Sequence, residues 1–138
     1  MTNLKRWQFY ILSFTWGLPM SLLGVIVCGV LMCFGYKPKR YGHCYYIAIG
    51  ERWGGFEMGW FFLTDKVEHE STKNHELGHG YQNACQLGWL CPIFSIISAI
   101  RYWWNRLIKP IDYYGWWFEA QASAIGERVM NNEKACSN

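Results

Sequence analysis

From Gln8 to Gly35 the sequence carries no charged residue. A run of that length argues against an ordinary solvated segment, because about 20 apolar residues already suffice to cross the hydrocarbon core of a bilayer. Charge is scarce elsewhere too: 17% of the 138 residues are Asp, Glu, Lys or Arg, against about 25% in soluble domains. No CxxC pair occurs. Of the six cysteines, Cys28 and Cys33 fall inside the uncharged run, Cys136 lies near the C-terminus, and Cys44, Cys85 and Cys91 are left as an odd three. That distribution argues against a disulfide framework and against a cysteine zinc site, and for free thiols. No basic stripe accompanies the net charge of +3, so a nucleic-acid partner has no support. There is no internal repeat and no low-complexity tract, and the length bounds the chain to one domain with an appendage.

What the chain has in surplus is aromatic: nine Trp, nine Tyr and eight Phe, 19% of the residues. Trp and Tyr gather at membrane interfaces, with the ring in hydrocarbon and the polar tip among the headgroups. The uncharged run is far longer than the h-region of a signal peptide, and no small-x-small cleavage site follows it. It is expected to be a retained transmembrane anchor over residues 9–35, after a flank of residues 1–8 and before a basic linker at 36–42. Gly17 and Pro19 predict a kink or an interfacial lead-in early in the run. Lys37, Lys39 and Arg40 lean toward placing the remaining chain in the cytoplasm by the positive-inside rule.

A domain over residues 43–132 follows, with a tail at 133–138. HCYYIAI and FEMGWFFLTD, separated by GERWGG, read as a β-hairpin or small sheet. A helix is expected from about Thr72 to Leu87, capped by Ser71 or Thr72. Gly78 and Gly80 inside it each cost about 1 kcal/mol relative to Ala, which implies that another backbone or a metal site comes close there. The apolar segment 87–104 is expected to contact the membrane, with Trp103 and Trp104 beside Arg101 and Arg106 as its rim. The pair Trp116 and Trp117 likewise reads as interface or core packing. In the last helix Phe118, Ala122, Ile125 and Val129 recur at helical spacing.

The chemistry lies in NHELGHGYQ. His75 and His79 stand at i and i+4 on one helix face and can point imidazole nitrogens at a single ion. Glu76, rotated by about 100°, sits beside that ion as a general base. A catalytic zinc takes three protein ligands, so a third is needed. Of Asp112, Glu119 and Glu127, Glu119 is the best placed, because the small residues after it allow close helix packing; Glu127 reads as solvent-facing. HExxH arises by chance in roughly 0.7% of chains of this composition, so the motif needs its context. His43 and His69 are isolated and read as structural, although His69, Arg101, Tyr113 and Tyr114 are all candidate oxyanion donors.

HELGH followed at a distance by a helical Glu in WFEAQA resembles the gluzincin branch of zinc metallopeptidases. The hairpin, active helix and second helix resemble that group's minimal members. WGGFEMGWFFLTDK, NHELGHGYQN, SAIRYW and WFEAQA together are similar to a family of small membrane proteins of bacteria and their phages, over nearly the whole chain. The resemblance implies Zn2+ held by His75, His79 and Glu119 with Glu76 as base, and it brings no substrate. The second, aspartate-bearing motif of intramembrane site-2-type proteases is missing, which favours cleavage beside the bilayer over cleavage within it.

The expected fold is therefore α+β, an N-terminal transmembrane helix followed by a minimal zincin-like domain. The expected function is hydrolysis of a peptide or protein substrate at a membrane-anchored zinc site. Two rivals stand beside it: an inactive zinc-binding interaction or structural protein with the same fold, and a metal-dependent hydrolase of another bond, such as a lipid-linked amide.

Overall fold

Residues 4–107 and 117–137 are described by the structure, a computed structural model. Asp112, Tyr113, Tyr114 and Trp116 lie outside the described residues. The uncharged run does not form one straight helix. It makes α1 (Arg6–Phe14) and α2 (Leu18–Cys33), bent by 100° from each other. The cause is local: Gly17 caps α2, and Pro19 sits in its first turn, where a missing N–H does no harm but where continuation from α1 is blocked.

The strands are β1 (Lys39–Tyr41), β2 (Cys44–Ala48), β3 (Gly55–Met58) and β4 (Phe61–Thr64), in the order β1-β2-β4-β3. The two segments expected to pair as a hairpin instead pair in parallel, β2 with β4, because the second of them folds back on itself. Met58 pairs with Phe61 across a turn of Gly59 and Trp60, and Gly59 has φ +71. Gly at the first position of a two-residue turn with positive φ matches the twist of antiparallel strands. The β1–β2 turn repeats the device, with Gly42 at φ +59.

Side chains alternate across this sheet. Cys44, Tyr46 and Phe62 join Leu77, Tyr81, Ile125 and Val129 on one side, together with Phe9 from α1. Ile47 and Phe61 join Met20, Cys28, Leu87, Cys91 and Phe118 on the other. The sheet is thus covered by two layers, α3 (Glu70–Gln82) with α5 (Trp117–Ser137) on one face and α2 on the opposite one. α2 uses its Met20, Ser21, Gly24 and Cys28 stripe for this and leaves Leu22, Val25, Ile26 and Val30 exposed.

Helix α3 (Glu70–Gln82) starts at His69, two to three residues before the expected Ser71 or Thr72 cap. Glu70 in the first turn suits the positive helix N-terminus, and it meets Lys134 of α5 at 2.8 Å. A π-helical turn, Asn83–Leu87, and a 3-10 turn, Gly88–Leu90, connect α3 to α4 (Cys91–Leu107). Helix α5 (Trp117–Ser137) runs on through residues 133–137, which the sequence set apart as a tail, and its Lys134 is the partner of Glu70.

The approach of α3 to α5 decides the site. A Cβ on Gly78 would overlap the carbonyl of Ala122, and a Cβ on Gly126 would overlap the carbonyl of Asn74. The two glycines therefore remove the bulk that would hold the helices apart, each at the point where the partner backbone passes.

One continuous helical run, Glu70–Leu107, is long and apolar enough to cross a membrane, and 28% of its apolar window is buried. Its first part, α3, is polar; the apolar stretch begins after Asn83. Helix α2 has 16 residues, about 24 Å at 1.5 Å per residue, and the bend keeps α1 from lengthening it along the same axis.

Candidate metal centre

Helix periodicity alone brings His75 and His79 together: their Nε2 atoms lie 3.1 Å apart. The glycine-mediated contact then delivers Glu119 from the first turn of α5. Its Oε2 lies 2.8 Å from Nε2 of His75 and 3.2 Å from Nε2 of His79. These three residues form a group whose ligand atoms lie within 4.8 Å of one another. Glu119 is fully buried and both imidazoles are buried.

The far side of each ligand is also held. Nδ1 of His79 lies 2.8 Å from Oε1 of Gln82. The Gln82 amide nitrogen donates to the Phe118 carbonyl and to Oε1 of Gln121, each at 2.9 Å, which turns its oxygen toward His79. An amide oxygen only accepts, so Nδ1 carries the proton and Nε2 of neutral His79 presents a lone pair to the centre. Nδ1 of His75 meets Ser123 Oγ at 2.8 Å. The Ser98 hydroxyl donates to Oε1 of Glu119, leaving Oε2 for the centre. Outer partners of this kind orient metal ligands and fix imidazole tautomers.

Three lone-pair atoms converging in a buried space repel one another unless a cation lies among them. Zinc bonds of about 2.0–2.1 Å at tetrahedral angles separate donors by roughly 3.4 Å, a few tenths of an ångström more than is seen here. The residues therefore fit a divalent ion of zinc's size and donor preference.

Without an ion, the cation is a proton. Burial opposes charge on His79, but its hydrogen bond to Glu119 and the charges of Glu76, Glu119 and Glu57 outweigh that and raise its pKa to about 9. Burial pushes His75 the other way, and the neighbouring His79 adds to the depression. Burial would raise Glu119, yet hydrogen bonds from both imidazoles hold it well below the usual carboxylate range. A metal ion entering this site displaces that proton.

Glu76 is not one of the three converging ligands. Burial raises its pKa to about 8, with Glu57 and Glu119 adding to the effect and His79 opposing it. It lines a cleft of about 500 Å³ together with His75, Gly55, Phe56, Tyr102 and Arg106. Gly55 leaves room there, since a Cβ on it would lie 2.9 Å from the Glu76 side chain and 3.0 Å from the Leu63 carbonyl. The cleft is bordered by Gly55 and Phe56 of β3, an edge strand that pairs only with β4 among the described strands.

Several contributors went unrecognised in the sequence. Glu57, buried on β3, lines a cavity of about 50 Å³ with Glu76, His79, Ser95 and Ser98, room for one or two waters. Its Oε1 accepts the Gly59 N–H at 2.6 Å, and burial raises its pKa. A lone carboxylate within the apolar FEMGW was the available signal. Gln82 stands three residues beyond His79, and Ser123 four beyond Glu119, so both were legible as same-face partners. Ser98 carried no signal in the sequence. Among the proposed oxyanion donors, His69 borders a neighbouring depression and Arg101 does not line the cleft, whereas Tyr102 and Arg106 do. The Tyr102 hydroxyl is 3.1 Å from the Trp53 carbonyl and accepts from Arg106 at 2.9 Å. Glu127, expected to face solvent, is exposed at the cleft margin. Comparison with known proteins adds no relative: no family profile, curated protein or solved structure matches this chain.

Proposed function

We propose that the protein is a membrane-anchored zinc metallopeptidase of the gluzincin type, with His75, His79 and Glu119 as ligands and Glu76 as general base. The observation that carries this reading is the convergence of two Nε2 atoms and one carboxylate oxygen at 2.8–3.2 Å, with a second, non-ligand carboxylate, Glu76, lining an adjoining cleft. Zinc, when bound, supplies Lewis acidity for a carbonyl and acidifies a water molecule.

The chain's own residues do the rest. Glu76 takes the proton from that water, and its burial favours holding the proton until the leaving amine accepts it. The open edge of β3 holds an extended polypeptide by main-chain hydrogen bonds, an arrangement that needs no particular sequence. Arg106, which lines the cleft and has N–H groups beyond the one it gives to Tyr102, is the donor for the developing oxyanion. The uncharged α2 attaches the enzyme to the bilayer, and Lys37, Lys39 and Arg40 favour a cytoplasmic site.

Replacing Glu76 by Gln tests the assignment. The variant is expected to keep one zinc per chain and to lose peptide hydrolysis by about 1000-fold. Undiminished hydrolysis removes Glu76 from the chemistry, while a wild-type protein that holds zinc and cuts no peptide in a diverse pool is a binding protein instead.

A further inference from the structure

Helix α4 is amphipathic the wrong way round for a soluble protein. Ser95, Ser98 and Tyr102 turn toward the centre and its cleft. Ile93, Ile96, Ile100, Trp103 and Leu107 recur at three- and four-residue spacing on the opposite face, each more than half exposed. A surface helix in water shows the reverse, with its apolar stripe on the core.

Three further observations say what covers this face. First, α4 touches α2, whose outward side is also apolar and exposed, so two touching helices each present an apolar exterior. Second, Trp89 stands before the Ile stripe and Trp103 with Trp104 at its end, the placement of an interfacial aromatic belt. Third, α4 carries Arg101 and Arg106 and no acidic residue, which suits anionic headgroups. Its 17 residues measure about 26 Å, short of a hydrocarbon core of about 30 Å, which fits an element lying in the interface rather than crossing it.

The same helix walls the cleft. Ala99 and Trp103 line both the cleft and an outer groove of about 440 Å³ formed with Ile96, Ile100, Trp104 and Leu107. The guanidinium of Arg106 lies 6.0 Å from the Trp103 ring at this shared rim.

We propose that the outer face of α4 rests in the lipid interface beside α2, which sets the mouth of the cleft at the membrane surface and makes membrane-borne polypeptides, cut just outside the bilayer, the substrate class. The lipid contact stands on the exposed faces alone; the substrate class rests on the peptidase reading.

The test uses the full chain in nanodiscs of phosphatidylcholine and phosphatidylglycerol containing a diazirine phospholipid, with adducts mapped by mass spectrometry. Adducts on α4 at a yield comparable to those on α2 are expected. Adducts confined to α2, or crosslinks from α4 to a second copy of the chain, overturn the lipid contact. A reporter peptide is then offered both soluble and tethered to a lipid anchor. The tethered form is expected to be cut at least tenfold faster, and Ile96→Gln with Ile100→Gln is expected to erase that preference while zinc content and cleavage of the soluble peptide stay unchanged. Equal rates on both reporters overturn the substrate class. A chain that crosslinks through α4 and holds zinc yet cuts neither reporter overturns the peptidase reading and leaves the lipid contact standing.

Discussion

Helices α3 and α4 follow each other in the chain, and each inverts the usual distribution of side chains in its own way. Helix α3 buries His75, Glu76, His79 and Gln82; α4 exposes Ile93, Ile96, Ile100 and Leu107. Burying unpaired polar groups costs several kcal/mol, so α3 is tolerable because its polar groups meet one another and α5. Leaving a stripe of half-exposed isoleucines in water forfeits roughly half of the about 1.5–3 kcal/mol that full burial of each would give, which an apolar outer medium would recover. The contrast teaches that the reading of one helix looks inward, to a group able to hold an ion, and the proposed reading of the other looks outward, to lipid.

The comparison breaks most sharply at the contact between α3 and α5. Gly78→Val places a branched side chain into the Ala122 carbonyl, so the helices must separate and Glu119 must leave the histidines. The expected cost is more than about 4 kcal/mol of folding stability, with zinc uptake lost, read by thermal unfolding and metal analysis. Retained zinc at wild-type stability would mean that the close approach is not what assembles the centre. A smaller effect sharpens the same side of the comparison. Gln82→Leu removes the acceptor that fixes the His79 tautomer while keeping a side chain of similar size, and zinc affinity is expected to fall about 10- to 100-fold with the fold intact. Competition with a chelator of known affinity reads that change directly. An unchanged affinity would remove Gln82 from the support of the site.

The convergence of His75, His79 and Glu119 was legible in the sequence for a simple reason. His75 and His79 are neighbours by helix geometry, and Gly78 with the small residues after Glu119 announced where two backbones meet. Phe118, Ala122, Ile125 and Val129 are buried as their spacing required. What stayed hidden is what depends on chain reversals or on distant elements. The β2–β4 pairing follows from a turn at Gly59 inside a segment that looks like one strand. The break between α1 and α2 was visible as Gly17 and Pro19, but its 100° angle is set by packing of Phe9 under the sheet and of Met20 and Cys28 over it. Ser98 reaches Glu119 from 21 residues away, on a helix whose apolar face points outward, so its periodicity alone would have turned the serine to solvent. Glu57 was visible only as a lone carboxylate within the apolar FEMGW, and that it would face Glu76 and His79 of α3 depends on the same chain reversal at Gly59.

The most direct measurement is X-ray absorption at the zinc edge on the zinc-loaded chain. The account predicts a shell of nitrogen and oxygen only, at about 2.0–2.1 Å, with two imidazoles and no sulfur. A zinc–sulfur distance of about 2.3 Å, or a histidine count other than two, would place the ion elsewhere in the chain and contradict the convergence of His75, His79 and Glu119 on one metal.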